Sequence, residues 1–253
     1  MAYNLNTPIA ERTTKTVYRD GDKVIKLFVE NYSKADILNE ALNQARVEEN
    51  TDLNIPKLEE VTKINNRWAI VSEYVEGKTL EELMNENPEK EDEYLDLFVN
   101  IQLEILSHTA PLSNRIKDKF RRKINNSTEI EENTKYELLQ RLESMKNHTK
   151  LCHGDYNPSN IIIKEDGSHY IIDWSHVTIG NASADVARTY MLFNIQGKGN
   201  LAERYLYLFS LKSGIEIKNI QRWVPIVAAT QLTKGVEKEK EYLQKCINVV
   251  EYQ

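Results

Sequence analysis

The chain has 253 residues, 40% of them apolar and 28% charged, enough apolar material for one large domain or two small fused ones, which excludes a disordered or fibrous chain. Its 39 acidic against 33 basic residues leave a net charge of -6, with no electrostatic footprint for gripping a phosphate backbone, so nucleic acid is not expected as a partner. The first twenty residues hold no apolar run and nothing approaches the ~18 apolar residues of a membrane span, and the two cysteines, Cys152 and Cys246, form no ligand-spaced cluster; the reading is a soluble, cytoplasmic protein with no membrane partner.

In chain order, residues 15–19 and 23–28 alternate as two short strands about Asp20-Gly21-Asp22, and the Asp-Gly pair predicts a β-hairpin. Ser33 or Asp36 caps a predicted helix with Ile37, Leu38, Ala41, Leu42 and Ala45 as its apolar stripe. Two more strands are predicted at 58–64 and 67–74. Helices follow at 80–84, at 91–108 with Leu95, Phe98, Val99, Gln102, Leu103 and Leu106 on one face, and at 134–146. Helical sequence stops at Leu151. Residues 152–160 read as a polar loop, and 161–163 and 170–173 as a hairpin about Glu165-Asp166-Gly167; helices resume at 184–193, 201–211, 219–232 and 238–250. The layout is α+β: a small β-rich lobe with one helix, residues 1–75, and a larger, mainly helical lobe, residues 76–253.

The densest group of reactive side chains is His153-Gly154-Asp155-Tyr156-Asn157-Pro158-Ser159-Asn160, followed by Asp173 in Ile171-Ile172-Asp173-Trp174. A hairpin returns its ends to one place, so Asp155, Asn160 and Asp173 are expected to converge. Asp and Asn populate turns for local hydrogen-bonding reasons alone, and it is the joint pattern that carries chemistry. Two carboxylates and an amide oxygen are hard ligands, suited to Mg2+ held together with substrate phosphates rather than to zinc.

HGDYNPSN followed by IIDW resembles the catalytic and metal-binding signatures of the aminoglycoside phosphotransferase and choline kinase-like family, small-molecule kinases with a two-lobed protein-kinase-like fold. The resemblance runs from about Glu11 to about Leu211. It implies that Asp155 orients and deprotonates the acceptor hydroxyl and that Asn160 and Asp173 hold Mg2+ on the nucleotide phosphates. It further implies that Lys26 neutralises the non-transferred phosphates, with Glu40 as its ion-pair partner, and that backbone groups of Ser72-Glu73-Tyr74 meet the purine. Asp185, in GNASADVAR, would brace the catalytic loop, and His153 would bracket it structurally.

Two departures stand out. Residues 10–16, where a nucleotide-covering loop would lie, hold no glycine, whereas protein kinases use several so that backbone can approach phosphate; Thr13, Thr14 and Lys15 are expected to supply donors instead. Asn157 stands where protein kinases place a lysine, which argues against a protein substrate. The implied function is Mg-dependent transfer of the γ-phosphoryl group of ATP or GTP to a hydroxyl of a small molecule: an aminoglycoside, a choline-like amino alcohol or a sugar. The alternative is a catalytically weak nucleotide-binding regulatory module with the same fold.

Beyond these signatures, Trp174 and Trp223 read as packing residues, Cys152 as a small buried apolar residue, and residues 237–241 as a solvated helix face. Glu216, Glu237 and Glu241 are the acids that would receive the ammonium groups of an aminoglycoside. Arg121-Arg122-Lys123 reads as a solvated basic spot. Oligomeric state, purine preference and acceptor identity carry no motif.

Overall fold

The structure, a computed structural model, describes residues 3–248; Val249 and Val250 of the last predicted helix lie outside the described residues. Strands β1 (Pro8–Glu11), β2 (Lys15–Asp20) and β3 (Lys23–Phe28) lead into helix α1 (Lys34–Asn50) and strands β4 (Leu58–Ile64), β5 (Arg67–Glu73) and β6 (Lys78–Thr79). Helices α2 (Leu80–Glu86), α3 (Glu91–Ser107), α4 (Ile116–Asn125) and α5 (Glu132–Ser144) follow, then the short strands β7 (Lys150–Cys152), β8 (Ile161–Ile163), β9 (His169–Ile171) and β10 (Thr178–Gly180). The chain ends in α6 (Ala182–Ile195), α7 (Gly199–Ser213), α8 (Ile217–Gln221), α9 (Val224–Leu232) and α10 (Glu237–Ile247). These fall into two compact units, one of Met1–Pro88 with Pro158–His176, the other of Glu89–Asn157 with Val177–Gln253.

The first unit is built on a five-stranded antiparallel sheet in the order β1-β2-β3-β5-β4. The β2–β3 hairpin turns at Gly21, whose φ of 61° is the left-handed geometry that an Asp-Gly turn requires. Alternation along β3 sends Ile25 and Leu27 into a cluster with Ala69 and Val71, and Phe28 to the opposite face, where it meets Ile37 and Ala41 of α1. Lys26 shares that second face by the same period of two.

Ser33 caps α1 as expected, its hydroxyl accepting from the Asp36 amide. The predicted stripe is displaced, however. Ile37, Glu40, Ala41, Gln44 and Val47 are buried, whereas Leu38 and Leu42 are exposed. The face that packs is chosen by the sheet beneath it, and it admits Glu40 because a lysine waits there.

A second, three-stranded antiparallel sheet, β6-β8-β9, ties residues 158–176 into this unit. Gly77 enters β6 against that sheet so closely that an added Cβ would meet Ile163 O at 2.5 Å and Ile162 Cγ2 at 2.8 Å. Backbone cannot yield as a side chain can, so Gly77→Ala is expected to cost about 1–3 kcal/mol, read as a lower midpoint in urea unfolding.

The second unit is helical apart from the antiparallel β7–β10 pair. Every residue of α9 is buried, and α6 is buried from Ala182 through Thr189; a helix apolar all round belongs in a core. Phe98, Tyr156, Phe193 and Tyr205 form an aromatic cluster around α3. Residues 219–232, read as one helix, form two, α8 and α9. Pro225, near the start of α9, cannot supply the amide that a continuous helix would use. Helix α4 escaped the sequence reading although Ile116, Phe120 and Ile124 repeat every four residues on its buried face.

Candidate active site

Within the first unit, four charged side chains meet. Lys26 Nζ lies 3.1 Å from Glu40 Oε1 and 3.3 Å from Asp173 Oδ1. Lys15 Nζ reaches the same two oxygens at 3.4 and 3.6 Å. Sequence reading placed Lys26 with Glu40 but gave Lys15 only a loop role. The register holds the missing signal: Val17 pairs with Lys26, and Lys15, two residues before Val17, falls on the same face.

Burial would push the Lys26 ammonium down, but Asp173 and Glu40 outweigh it and hold its pKa above the usual lysine range. The Lys26 ammonium in turn holds the Asp173 carboxyl far below the usual carboxylate range, against burial and with help from Lys15. Both groups are therefore ionised across physiological pH. The depressed Asp173 pKa contributes stability above the unfolded value of about 4, lost as pH falls below it. The raised Lys26 pKa contributes stability below about 10.4, lost as pH rises through the folded value. The stability difference between wild type and Asp173→Asn is thus expected to be flat from roughly pH 5 to 10 and to shrink below roughly pH 4, as urea titrations at each pH will show.

Asp173 adopts φ 61°, a left-handed conformation costly for a residue with a Cβ and typical of functional sites. It lies two residues past β9 and precedes a 3-10 turn, Trp174–His176, pinned by the Trp174 indole N–H donating to Ile171 O at 3.0 Å. Asn160 closes another 3-10 turn, Pro158–Asn160, and its carbonyl accepts from the Ile172 amide at 3.0 Å. The β8–β9 hairpin thereby brings Asn160 beside Asp173, as a hairpin must.

Thr13 and Thr14 sit exposed in the turn between β1 and β2, closed by Arg12 N–H donating to Lys15 O at 2.9 Å. Ser72 is buried and ends β5 with Glu73. The amides of Glu73 and Tyr74 already donate to Lys57 O at 2.9 Å and Asp22 O at 2.7 Å.

Asp155 belongs to the second unit. The loop that carries it is fixed from several sides. Gly154 N–H donates to Asp185 Oδ1 at 2.8 Å, Asp155 N–H to His153 Nδ1 at 3.3 Å, and the Asn157 amide to Asp155 O at 2.8 Å. Tyr156, fully buried and stacked on Phe98, donates to Phe98 O at 2.6 Å and accepts at its own carbonyl from Thr189 Oγ1 at 2.8 Å. Burial pushes the Asp185 carboxyl up, opposed by His153 and the Gly154 amide. His153 itself is fully buried, in keeping with a structural role. Asp155 Oδ1 accepts from Arg188 Nη2 at 2.8 Å, a contact that sequence reading missed although Arg188 stands three residues beyond Asp185 in the same motif.

Cys152 is buried and free, and burial pushes its thiol pKa well up, so it packs rather than reacts. Glu216 and Glu241 are spent on Lys218 and Lys245, both at the surface. Of the basic triplet, Arg121 pairs outside with Asp118 and Glu143, but Lys123 is half-buried.

Residues 7–214 match the model of the phosphotransferase enzyme family, and the chain belongs to that family. Its structure is similar to a thermostable mutant of aminoglycoside phosphotransferase APH(4)-Ia in ternary complex with ADP and hygromycin B, at 15% identity and TM-score 0.68, over 96% of this chain and 91% of that one. It is similar to APH(2")-IIia in complex with GDP and kanamycin, at 16% identity and TM-score 0.60, over 98% and 92%. It also resembles the choline kinase LicA from Streptococcus pneumoniae, at 14% identity and TM-score 0.65, over 95% and 92%. A comparison with curated proteins returned no match. The kinase-like α+β fold and the family expected from HGDYNPSN and IIDW are both borne out.

Proposed function

We propose that this phosphotransferase moves the γ-phosphoryl group of ATP or GTP to a hydroxyl of a small molecule, with Mg2+. The observation that carries the proposal is the meeting of Lys26, Glu40 and Asp173 in one unit, an ionised carboxylate and a paired ammonium kept ready for a charged ligand. Complexes of the neighbours with ADP, GDP and acceptor drugs support the reading by fold.

Asp173 and Asn160 suit Mg2+: an anionic carboxylate and an amide are hard oxygen donors, and an ion sharing its shell with phosphates needs few protein ligands. Mg2+, when bound, would draw off charge from the phosphate oxygens. Lys26, kept protonated and aimed by Glu40, would neutralise the non-transferred phosphates, and Thr13 and Thr14 would donate to the nucleotide from the β1–β2 turn. Carbonyls of Ser72, Glu73 and Tyr74 would meet the purine edge. Asp155 would accept the acceptor's hydroxyl proton while its oxygen bonds to the γ-phosphorus and the bond to the β-phosphate oxygen breaks, releasing the nucleoside diphosphate. Arg188 would fix the Asp155 rotamer for this.

No helix among the described residues is long and apolar enough to cross a membrane. Two free cysteines suit a reducing cytoplasm, which we take as the setting. The test of the reading is mass spectrometry of pooled hydroxyl compounds incubated with Mg2+ and ATP or GTP. A mass gain of one phosphoryl group with wild-type protein, absent with Asp155→Ala, is expected. Nucleotide binding without transfer to any pool would return the regulatory-module alternative.

A further inference from the structure

Hydrogen bonds through Gly154, Tyr156 and Asn157 set the backbone of the loop that carries Asp155. They do not set its carboxylate, which turns about an sp3–sp2 bond with broad, roughly twofold preferences. Arg188 of α6 supplies a contact that does, donating from Nη2 to Asp155 Oδ1 at 2.8 Å.

An arginine side chain is long and flexible, and it places another group only where it is itself held. Arg188 Nη1 donates to Gln231 Oε1 at 3.1 Å, and Gln231 Nε2 donates to Glu239 Oε2 at 2.8 Å. One orientation of the Gln231 amide suits both neighbours, its oxygen toward the guanidinium and its nitrogen toward the carboxylate. Asp155, Arg188, Gln231 and Glu239 all belong to the second unit.

Local sequence explains how the far end comes into reach. Past α9 the Lys234 and Gly235 amides donate to Gln231 O at 2.9 Å and Leu232 O at 3.0 Å, and Gly235 takes a left-handed φ of 66°. Helix α10 then packs back on α9. Glu239 stands in the first turn of α10, where the helix dipole favours a carboxylate, and so meets Gln231, eight residues before it.

Stability alone gives little reason for these side chains. Helix α9 reads VPIVAATQL, nearly all apolar, and Gln231 within it is 4% exposed. A buried amide costs free energy unless its polar atoms are satisfied, and leucine would fill a similar volume without that requirement. Arg188 is 9% exposed, and its Nε is buried with no hydrogen-bond partner among the described residues. An ion pair in such a place is a weak source of stability, whereas a guanidinium anchored at both terminal nitrogens is a precise holder of a carboxylate.

We propose that Arg188, Gln231 and Glu239 are positioning residues for the base, a relay that ties the Asp155 carboxylate to α10. The C-terminal helix thereby contributes to turnover through Asp155 rather than by contact with the acceptor. The proposal rests on the kinase reading and deepens it at one residue.

The experiment uses the full chain with Mg-ATP or Mg-GTP and the hydroxyl compound that wild-type protein phosphorylates in the pooled assay. Gln231→Leu and Glu239→Ala are each expected to lower kcat about tenfold to a hundredfold, the scale of a base slightly misplaced. KM for nucleotide and acceptor should stay within about twofold, since no binding contact is lost. Gln231→Glu sets a carboxylate against Glu239 and should show the same loss. Gln231→Glu combined with Glu239→Gln reverses donor and acceptor across that contact and keeps an acceptor for Arg188, so kcat should return to within about threefold of wild type. Urea unfolding of each variant establishes that it is folded under assay conditions, and should Gln231→Leu fail to fold, Glu239→Ala, at a half-buried position, decides alone. Unchanged kcat in the single variants would overturn the proposal and leave the kinase reading standing. A raised acceptor KM at constant kcat would overturn it too, by placing these residues on the substrate. Transfer by wild-type protein to no pooled compound would remove the kinase reading and this proposal together.

Discussion

Asp155→Ala is expected to lower kcat by about 10³-fold or more, the upper part of the range for a lost general base, while Mg-nucleotide affinity stays within a few fold. The separation follows from where the residue sits. Asp155 belongs to the second unit, whereas Lys26, Glu40, Asn160 and Asp173 belong to the first. The loop does not depend on the Asp155 carboxylate for its shape: its backbone is held through Gly154, Tyr156 and Thr189. What the substitution does release is Arg188, which would retain Gln231 as a partner. Asp155→Asn keeps that packing and removes only the basicity, so a comparable loss in kcat from both variants would separate proton transfer from loop disorder. Pre-steady-state binding of a fluorescent nucleotide beside steady-state transfer provides both numbers.

Asp173→Asn is expected to weaken Mg-dependent nucleotide binding by on the order of 10²-fold or more, the scale of losing a charged group aimed at phosphate and its counter-ion. Asparagine is the informative replacement because it tolerates the left-handed backbone that Asp173 adopts at φ 61°. Alanine would add backbone strain to the loss of charge. With the carboxylate gone, Lys26 and Lys15 share only Glu40, so the local balance turns positive and nucleotide without metal should bind comparatively better. The signature is therefore a loss of metal dependence as well as of affinity, measured by titrating nucleotide with and without Mg2+.

How far the sequence carried this picture differs between the two sets of residues. The Asp-Gly turn, the period of two in β3 and the Ser33 cap are local signals, and they placed Lys26 and α1 correctly. Asn160 and Asp173 came together because a hairpin joins them. Glu40 was found through the family resemblance, since a glutamate on the buried side of an amphipathic helix contradicts the apolar stripe that pointed to Leu38 and Leu42. The strands β7 and β10 span only three residues each, too short for any periodicity to register.

The surroundings of Asp155 were the harder problem. Arg121-Arg122-Lys123 looked like one solvated patch because neighbours in sequence look like neighbours in space. On a helix they point in different directions, and the true companion of Lys123 is Lys119, one turn back. Arg188 reaches Asp155 only through the folding of α6 against its loop, which no local pattern encodes.

The central claim is that phosphoryl moves from nucleotide to an alcohol. Its most direct test is a single-turnover reaction with γ-labelled ATP or GTP, Mg2+ and the acceptor pools, followed by separation of nucleotide, inorganic phosphate and organic phosphate. Label is expected to leave the nucleotide and appear in an organic phosphate ester, and Asp155→Ala to abolish this while still binding the nucleotide. Label recovered only as inorganic phosphate, at equal rates in wild type and variant, would contradict it.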